Sequence, residues 1–357
     1  MSPFLDGWIA HRCGLDAATP QSVLRVQLAR FNAVLRHVRR NGVFYRKRLA
    51  GLFERRGDLI ETGMWPREPF DVAEIPLTEA ADIKRDGGRF LCVPLDEIAR
   101  IVTLSTSGTT GIPKRLAFAA DDLESTLDFF AHGISVLVRA GDSVLILLPG
   151  AERPDGVADL LRRALPRIGA RGIPGDPAAD PKLFRKEVER YRPQCLVAAP
   201  SQLRRLLEGL ESPPNLRAVL SSAEPLPDDV RGALAARWGC AVFDHYGLTE
   251  TGYGGGVECP SHDGYHLREA DLYWEVIDPF SGEPVPDGTP GEVVFTTLTR
   301  RAMPLIRYRT GDLASMLPGP CACGSPLRRL SRIRGRLARG KDGTLTVIAP
   351  SKGWMGP

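Results

Sequence analysis

The segment Thr106 to Lys114, TSGTTGIPK, gathers four hydroxyl residues, two glycines and a lysine into nine positions, directly after the apolar run Ile101-Val102-Thr103-Leu104. Glycines let the backbone turn tightly and point successive N–H groups inward, while hydroxyls and an ammonium add donors. The product is a nest for phosphate oxygens. It is not a Walker loop, because Pro113 stands between Gly111 and Lys114. A Ser/Thr/Gly-rich linker has the same composition, so the phosphate reading needs partners elsewhere in the chain. Thr249 and Glu250, in HYGLTE, supply a donor for an α-phosphate and a carboxylate suited to Mg²⁺, which takes one or two carboxylates plus phosphate oxygens. Asp312, in RYRTGD, could accept from both hydroxyls of a ribose. A Thr-Glu pair also caps helices, and Gly-Asp also makes turns. A second constellation is Cys259 with Cys321-Ala322-Cys323, three thiols that with His262 or His266 would complete a tetrahedral zinc site. Three ordinary reduced cysteines on loops are the alternative.

These residues need strands and helices to hold them. Residues 142–246 alternate between apolar strands and helices of about ten residues, the pattern of right-handed βαβ units in a parallel sheet. Strands are expected at Ser143–Leu148, Ala170–Ile173, Cys195–Ala199, Leu216–Ser221 and Ala241–Phe243. Ligands of such sheets collect at the carboxyl ends of strands. The phosphate-loop candidate, SSAEPL (221–226) and HYGLTE (245–250) are all expected there. As a strand-end carboxylate, Glu250 is expected outside the core, so that its replacement costs activity and not the fold. Residues 21–50 carry apolar side chains at helical spacing, with Arg25, Arg30, Arg36, Arg39 and Arg40 between them, a packed helix with a basic face. From about residue 256 to 335 the strand pattern and Pro/Gly turns suggest a smaller β-rich subdomain, with strands at Leu272–Ile277, Glu292–Thr297 and Leu305–Tyr308. The stretch from Arg336 to Pro357 is glycine-rich and weakly patterned, and is expected to be poorly ordered.

The chain has 357 residues, a net charge of +4, 43% apolar and 25% charged residues, and seven cysteines. The length suits about two domains. The charge does not call for nucleic acid, and no run approaches the roughly 20 apolar residues that span a bilayer. With no signal-like start and an odd cysteine count, a reduced, cytoplasmic setting is expected.

In this order, TSGTTGIPK, SSAEPL, DHYGLTE, RYRTGD and the Gly335-Arg336 pair resemble the motif series of the acyl-adenylate-forming (AMP-binding) superfamily, over residues 20–336. SAEP (222–225), ECPSHDGYH (258–266) and GEVVFTTLTRRAMPLIRYRTGD (291–312) place the resemblance in the phenylacetate–CoA ligase-like branch. It implies an α/β fold with a large adenylate-forming domain over 1–335: a helical part (1–100), an α/β core of parallel sheet flanked by helices (101–255) and the β-rich subdomain (256–335). It also implies a two-step reaction. A small carboxylic acid attacks the α-phosphate of ATP, giving an acyl-adenylate and pyrophosphate, and coenzyme A then displaces AMP. Carried over, Thr106, Ser107, Gly108, Thr109, Thr110, Gly111 and Lys114 cradle the β- and γ-phosphates. Ala223, Glu224 and Pro225 border the adenine, Tyr246 stacks on it beside Gly247, Thr249 binds the α-phosphate and Glu250 the Mg²⁺. Asp312 takes the ribose, and Arg336 reaches the ribose or phosphate. Thr249, Glu250 and Lys114 are the catalytic set. The resemblance also selects His266 over His262 as the zinc ligand and makes a homodimer the family-level expectation.

Two departures accompany it. The superfamily has a C-terminal domain of roughly a hundred residues that brings a catalytic lysine. Here, the sequence runs only to Pro357, and Lys341 and Lys352 are poor substitutes, so that domain is expected to be largely absent. The aromatic, glycine-rich turn of phenylacetate ligases is replaced by LLPGAERPDG (147–156), which leaves the acid open. His245, Phe129, Phe130 and His132 are candidates for its pocket. The arginines of 328–339 suit either coenzyme A phosphates or a solvated face. An adenylyltransferase acting on a small cofactor and a non-catalytic nucleotide-binding accessory protein are the alternatives to the ligase.

Overall fold

The computed structural model describes residues 5–104, 113–340 and 344–349. The N-terminal part is helical. Its longest helix, Pro20–Asn41, starts where the Thr19 hydroxyl accepts from Ser22 N at 3.1 Å and Ser22 Oγ accepts from Thr19 N at 3.0 Å. Proline in the first turn loses no hydrogen bond there. Val23, Leu28, Phe31, Val34, Leu35 and Val38 form its buried stripe. The arginines between them dock the helix: Arg40 meets Glu61 at 2.6 Å, and Arg30 donates to Ala270 O. Among the described residues no helix is long and apolar enough to cross a membrane.

The central sheet has nine strands. Arg171–Pro174, Ser143–Ile146, Cys195–Ala198, Ala218–Ser221 and Ala241–Tyr246 lie side by side in that order, all parallel. Helices cover both faces, so these strands are apolar on both sides and not alternating. Leu145, Leu196 and Val219 pack on one face with Phe184 and Trp238; Val144, Ile146 and Val197 pack on the other. Gly256–Glu258, Tyr265–Leu267, Arg329–Leu330 and Met316–Leu317 continue the sheet as antiparallel neighbours. A second sheet, wholly antiparallel, runs in the order Leu272–Ile277, Gly291–Thr297, Tyr308–Ala314, Gly335–Arg339, Leu345–Ile348.

Four expectations are corrected. The apolar run before the phosphate-loop candidate belongs to Ile98–Leu104, which among the described residues pairs with Lys114–Ala119 in a separate two-stranded ladder and not with the parallel sheet. Strands from 256–335 are shared between two sheets, because the short Gly256–Glu258 and Tyr265–Leu267 extend the parallel core while longer ones build the second sheet. The strand expected at Leu305–Tyr308 instead begins at Tyr308: Arg307 has φ +44°, which takes the chain out of extended geometry just before it. The stretch beyond Arg336 is not without order, since Leu337 pairs with Val347 and Arg339 with Leu345. Exposure of Val347 and Ile348 weakens their core signal, yet β-branched residues still suit a ladder at a sheet edge.

Candidate active site

The cleft lies where the two sheets meet. The first wall is the turn after Ala218–Ser221, where Ser222, Ala223, Glu224 and Pro225 follow one another and Ala223 takes φ +74°. Glu224 is tied back to the preceding helix, Pro200–Gly209, accepting from Ser201 Oγ at 2.8 Å. The second wall is the end of Ala241–Tyr246, continuing through Gly247 and Leu248 to Thr249. Gly247 is required: a Cβ there would stand 2.5 Å from Tyr253 O. Asp312 and Arg336, opposite each other on paired strands of the second sheet, form the third wall. Together they enclose a cavity of about 280 Å³.

The second sheet and the parallel core are joined across it. Tyr246 Oη donates to Asp312 Oδ2 at 2.9 Å, and its ring stacks on Tyr265 with centroids 5.7 Å apart. The other Asp312 oxygen has no hydrogen bond among the described residues and lies 3.7 Å from Arg336 Nε. Burial pushes the Asp312 carboxyl up to about 6, despite the Arg336 guanidinium and the tyrosine.

Glu250 and Lys114 lie behind this cavity rather than in its wall. Lys114 opens the strand Lys114–Ala119, and its ammonium pairs with Glu250 Oε1. Tyr308 Oη donates to the same oxygen at 2.9 Å. Glu250 is 2% exposed and Lys114 7%, so the expectation that Glu250 stands outside the core is overturned. Glu250 Oε2 has no partner among the described residues. Tyr308 is not among the site residues that the sequence singles out, although a signal exists. With the strand running Tyr308–Ala314, residues Tyr308, Thr310 and Asp312 alternate onto one buried face, a period of two that the misplaced strand concealed. Thr106, Ser107, Gly108, Thr109, Thr110 and Gly111 lie outside the described residues.

A smaller chamber of about 40 Å³ adjoins the cleft, and Leu148, Val157, Ser222, His245 and Tyr253 border both. Phe129, Phe130, Ile134, Leu161 and Val257 make the rest apolar. His132 is elsewhere, its ring 5.9 Å from Trp8. The loop 147–156 closes on itself at Gly150 and Gly156, where a Cβ on Gly156 would be 2.2 Å from Gly150 O. The arginines of 328–339 are largely engaged within the chain: Arg328 donates to Trp274 O, Arg329 pairs with Asp263, and Arg332 pairs with Asp228 and Glu258.

Away from the cleft, one ligand atom from each of Cys259, His266, Cys321 and Cys323 lies within 4.8 Å of the others. Cys259 Sγ is 3.6 Å from Cys321 Sγ, and Cys323 Sγ is 3.5 Å from His266 Nε2. Sulfurs bound tetrahedrally at about 2.3 Å from zinc are about 3.8 Å apart. His262 faces Glu258 instead, at 3.3 Å.

A strand-end cleft with a buried carboxylate, a hydroxyl-bearing turn and an apolar side chamber suits a nucleotide-dependent enzyme of the α/β class. Residues 91–298 match the model of the AMP-binding enzyme family. The phenylacetate-coenzyme A ligase of Aromatoleum evansii is 32% identical over 333 residues, covering 90% of this chain and 72% of that protein. That of Pseudomonas putida is 31% identical over 336 residues, with the same shares. An open conformation of a 2-hydroxyisobutyryl-CoA ligase, in complex with 2-HIB-AMP and CoA, superposes with a TM-score of 0.76 at 22% identity, covering 92% of this chain and 74% of that one. The chain belongs to the AMP-binding enzyme family, in its phenylacetate–CoA ligase-like branch. It is an AMP-forming acid–thiol ligase.

Proposed function

We propose that the cleft binds ATP and the apolar chamber the acyl group of a small carboxylic acid, which is activated as an acyl-adenylate and passed to coenzyme A. The observation that carries this is the convergence of Thr249, Tyr246 and Asp312, from two sheets, on one cavity that opens beside His245 into an apolar chamber. Ala223, Glu224 and Pro225 border the adenine, with Tyr246 and Gly247 across from them. Asp312 accepts from the ribose hydroxyls, Arg336 stands beside them, and Thr249 donates to the α-phosphate. A carboxylate oxygen of the acid then attacks the α-phosphorus in line, and pyrophosphate leaves with the electron pair of the broken P–O bond. In the second step the coenzyme A thiolate attacks the acyl carbon and AMP leaves. Such chemistry needs positioning and charge neutralisation more than covalent help from the protein.

Glu250 fits Mg²⁺, because its Oε2, without a partner among the described residues, could ligate a hard cation. Bound there, the cation would neutralise charge on the phosphates. Lys114 then changes partner, leaving Glu250 for the β- and γ-phosphates held by Thr106–Gly111. The Cys259, His266, Cys321, Cys323 cluster fits a structural zinc in number, kind and spacing of ligands. Residues 1–335 act as one adenylate-forming unit, and Arg336 enters the site from the strand that follows.

Pyrophosphate exchange over a panel of carboxylic acids, followed by AMP release on addition of coenzyme A, tests the reading. Acid-dependent exchange and thiol-dependent AMP release are expected. ATP binding without exchange under any acid would overturn the ligase in favour of an accessory role, and exchange without a thiol step would favour an adenylyltransferase.

A further inference from the structure

We propose that the acid activated here carries a neutral hydrogen-bonding group, a hydroxyl or carbonyl, on its acyl portion, and that His245 reads it. The inference rests on the chamber being the acyl site. His245 stands at the end of Ala241–Tyr246 and borders both the cleft and the chamber, so its ring lies where the acyl group leaves the carboxylate. Nδ1 is 3.1 Å from the Ser222 hydroxyl, and Phe130 meets the ring edge-on with centroids 6.4 Å apart. The remaining nitrogen, Nε2, is buried and has no partner among the described residues. An unmade hydrogen bond on a buried polar atom is costly, so a wall meant only for hydrocarbon would be better served by leucine or phenylalanine.

Ser222 fixes what Nε2 can do. If the serine hydroxyl donates to Nδ1, Nε2 carries the proton and donates to the substrate; if the hydroxyl accepts, Nε2 accepts. Either way the ring is neutral, since burial pushes it down to about 4. A second carboxylate would therefore be desolvated against an uncharged ring and is disfavoured. Besides the Phe130 ring, Gly247 leaves the imidazole its place, since a Cβ there would stand 3.0 Å from His245 Cε1. The small volume favours compact acyl groups.

The experiment compares matched acids that differ by one hydroxyl, isobutyrate with 2-hydroxyisobutyrate and phenylacetate with mandelate and the ring-hydroxylated phenylacetates. Pyrophosphate exchange is measured for the wild type, His245→Leu and His245→Gln. In the wild type, kcat/KM is expected to favour at least one hydroxylated acid over its partner by about tenfold or more. His245→Leu should remove or invert that ratio, and His245→Gln, which keeps a hydrogen-bonding group, should retain part of it. Exchange whose ratios are the same in wild type and His245→Leu overturns the proposal and leaves acid activation standing. A wild-type preference for every unsubstituted partner does the same without any variant. No exchange with any acid overturns both.

Discussion

Lys114 and Glu250 come from places 136 residues apart and are buried against each other, with Tyr308 between them. Breaking such a pair from one side leaves a charge in a dry site, at a cost of about 3–5 kcal/mol. Glu250→Gln is therefore expected to abolish exchange and also to lower thermal stability. Lys114→Met combined with Glu250→Gln should restore most of the stability and none of the activity, as read by calorimetry and exchange in parallel. Full stability in Glu250→Gln alone would show that the pair is not buried in solution. Asp312 gives a pH signature. Its carboxyl is raised to about 6, so lowering the pH through that value protonates it and would remove the acceptor proposed for the ribose. AMP affinity should tighten as pH rises through about 6. Asp312→Asn should be weaker by about 2–4 kcal/mol and lack that dependence, by titration calorimetry. Stability has the opposite sign. The folded chain holds this proton between the ordinary value of 3.8 and about 6, so the Asp312 share of stability falls as pH rises through that window.

Among the elements, the strand Gly335–Arg339 decides whether Arg336 faces Asp312 at all. It is held from its far side by Leu345–Ile348, and Gly335 sits so close that a Cβ would be 2.8 Å from Ile348 O. Gly335→Val should push the edge strand away at a cost of about 1–3 kcal/mol, speed amide exchange over 345–348 and weaken AMP binding. Unchanged exchange in that segment would mean that the strands do not pair. This hairpin was hidden in the sequence because its apolar residues are few and exposed. The parallel strands of the core announced themselves through unbroken apolar runs such as Cys195–Ala198, spaced by amphipathic helices.

At the level of the whole molecule, the nine-stranded sheet is stitched along its antiparallel extension. Glu258 accepts from Arg231 and Arg332, and the adjacent Cys259 joins the thiol–imidazole cluster. If zinc is held there, chelation should release the pairing of Tyr265–Leu267 with Arg329–Leu330 and lower the melting temperature by about 5 °C or more. Zinc analysis should give close to one equivalent, and Cys323→Ser should lose it. Less than about half an equivalent in the wild type speaks against a structural site.

The motif order, the βαβ alternation and the thiols of Cys259, Cys321 and Cys323 are properties of the chain read locally. Period and spacing are enough to state them; the family, and His266 rather than His262 beside the thiols, came from the resemblance of the ordered motifs. What the linear sequence could not carry is which distant residues share a face. Tyr308 beside Glu250, Tyr246 bonded to Asp312, His245 between two cavities and His262 turned to Glu258 all depend on how two sheets pack. Side-chain direction follows from strand register, and register is fixed by long-range pairing, not by any local run of residues. Only the tertiary structure turned a strand-end glutamate into a buried ion pair and a flanking histidine into the wall of an apolar chamber.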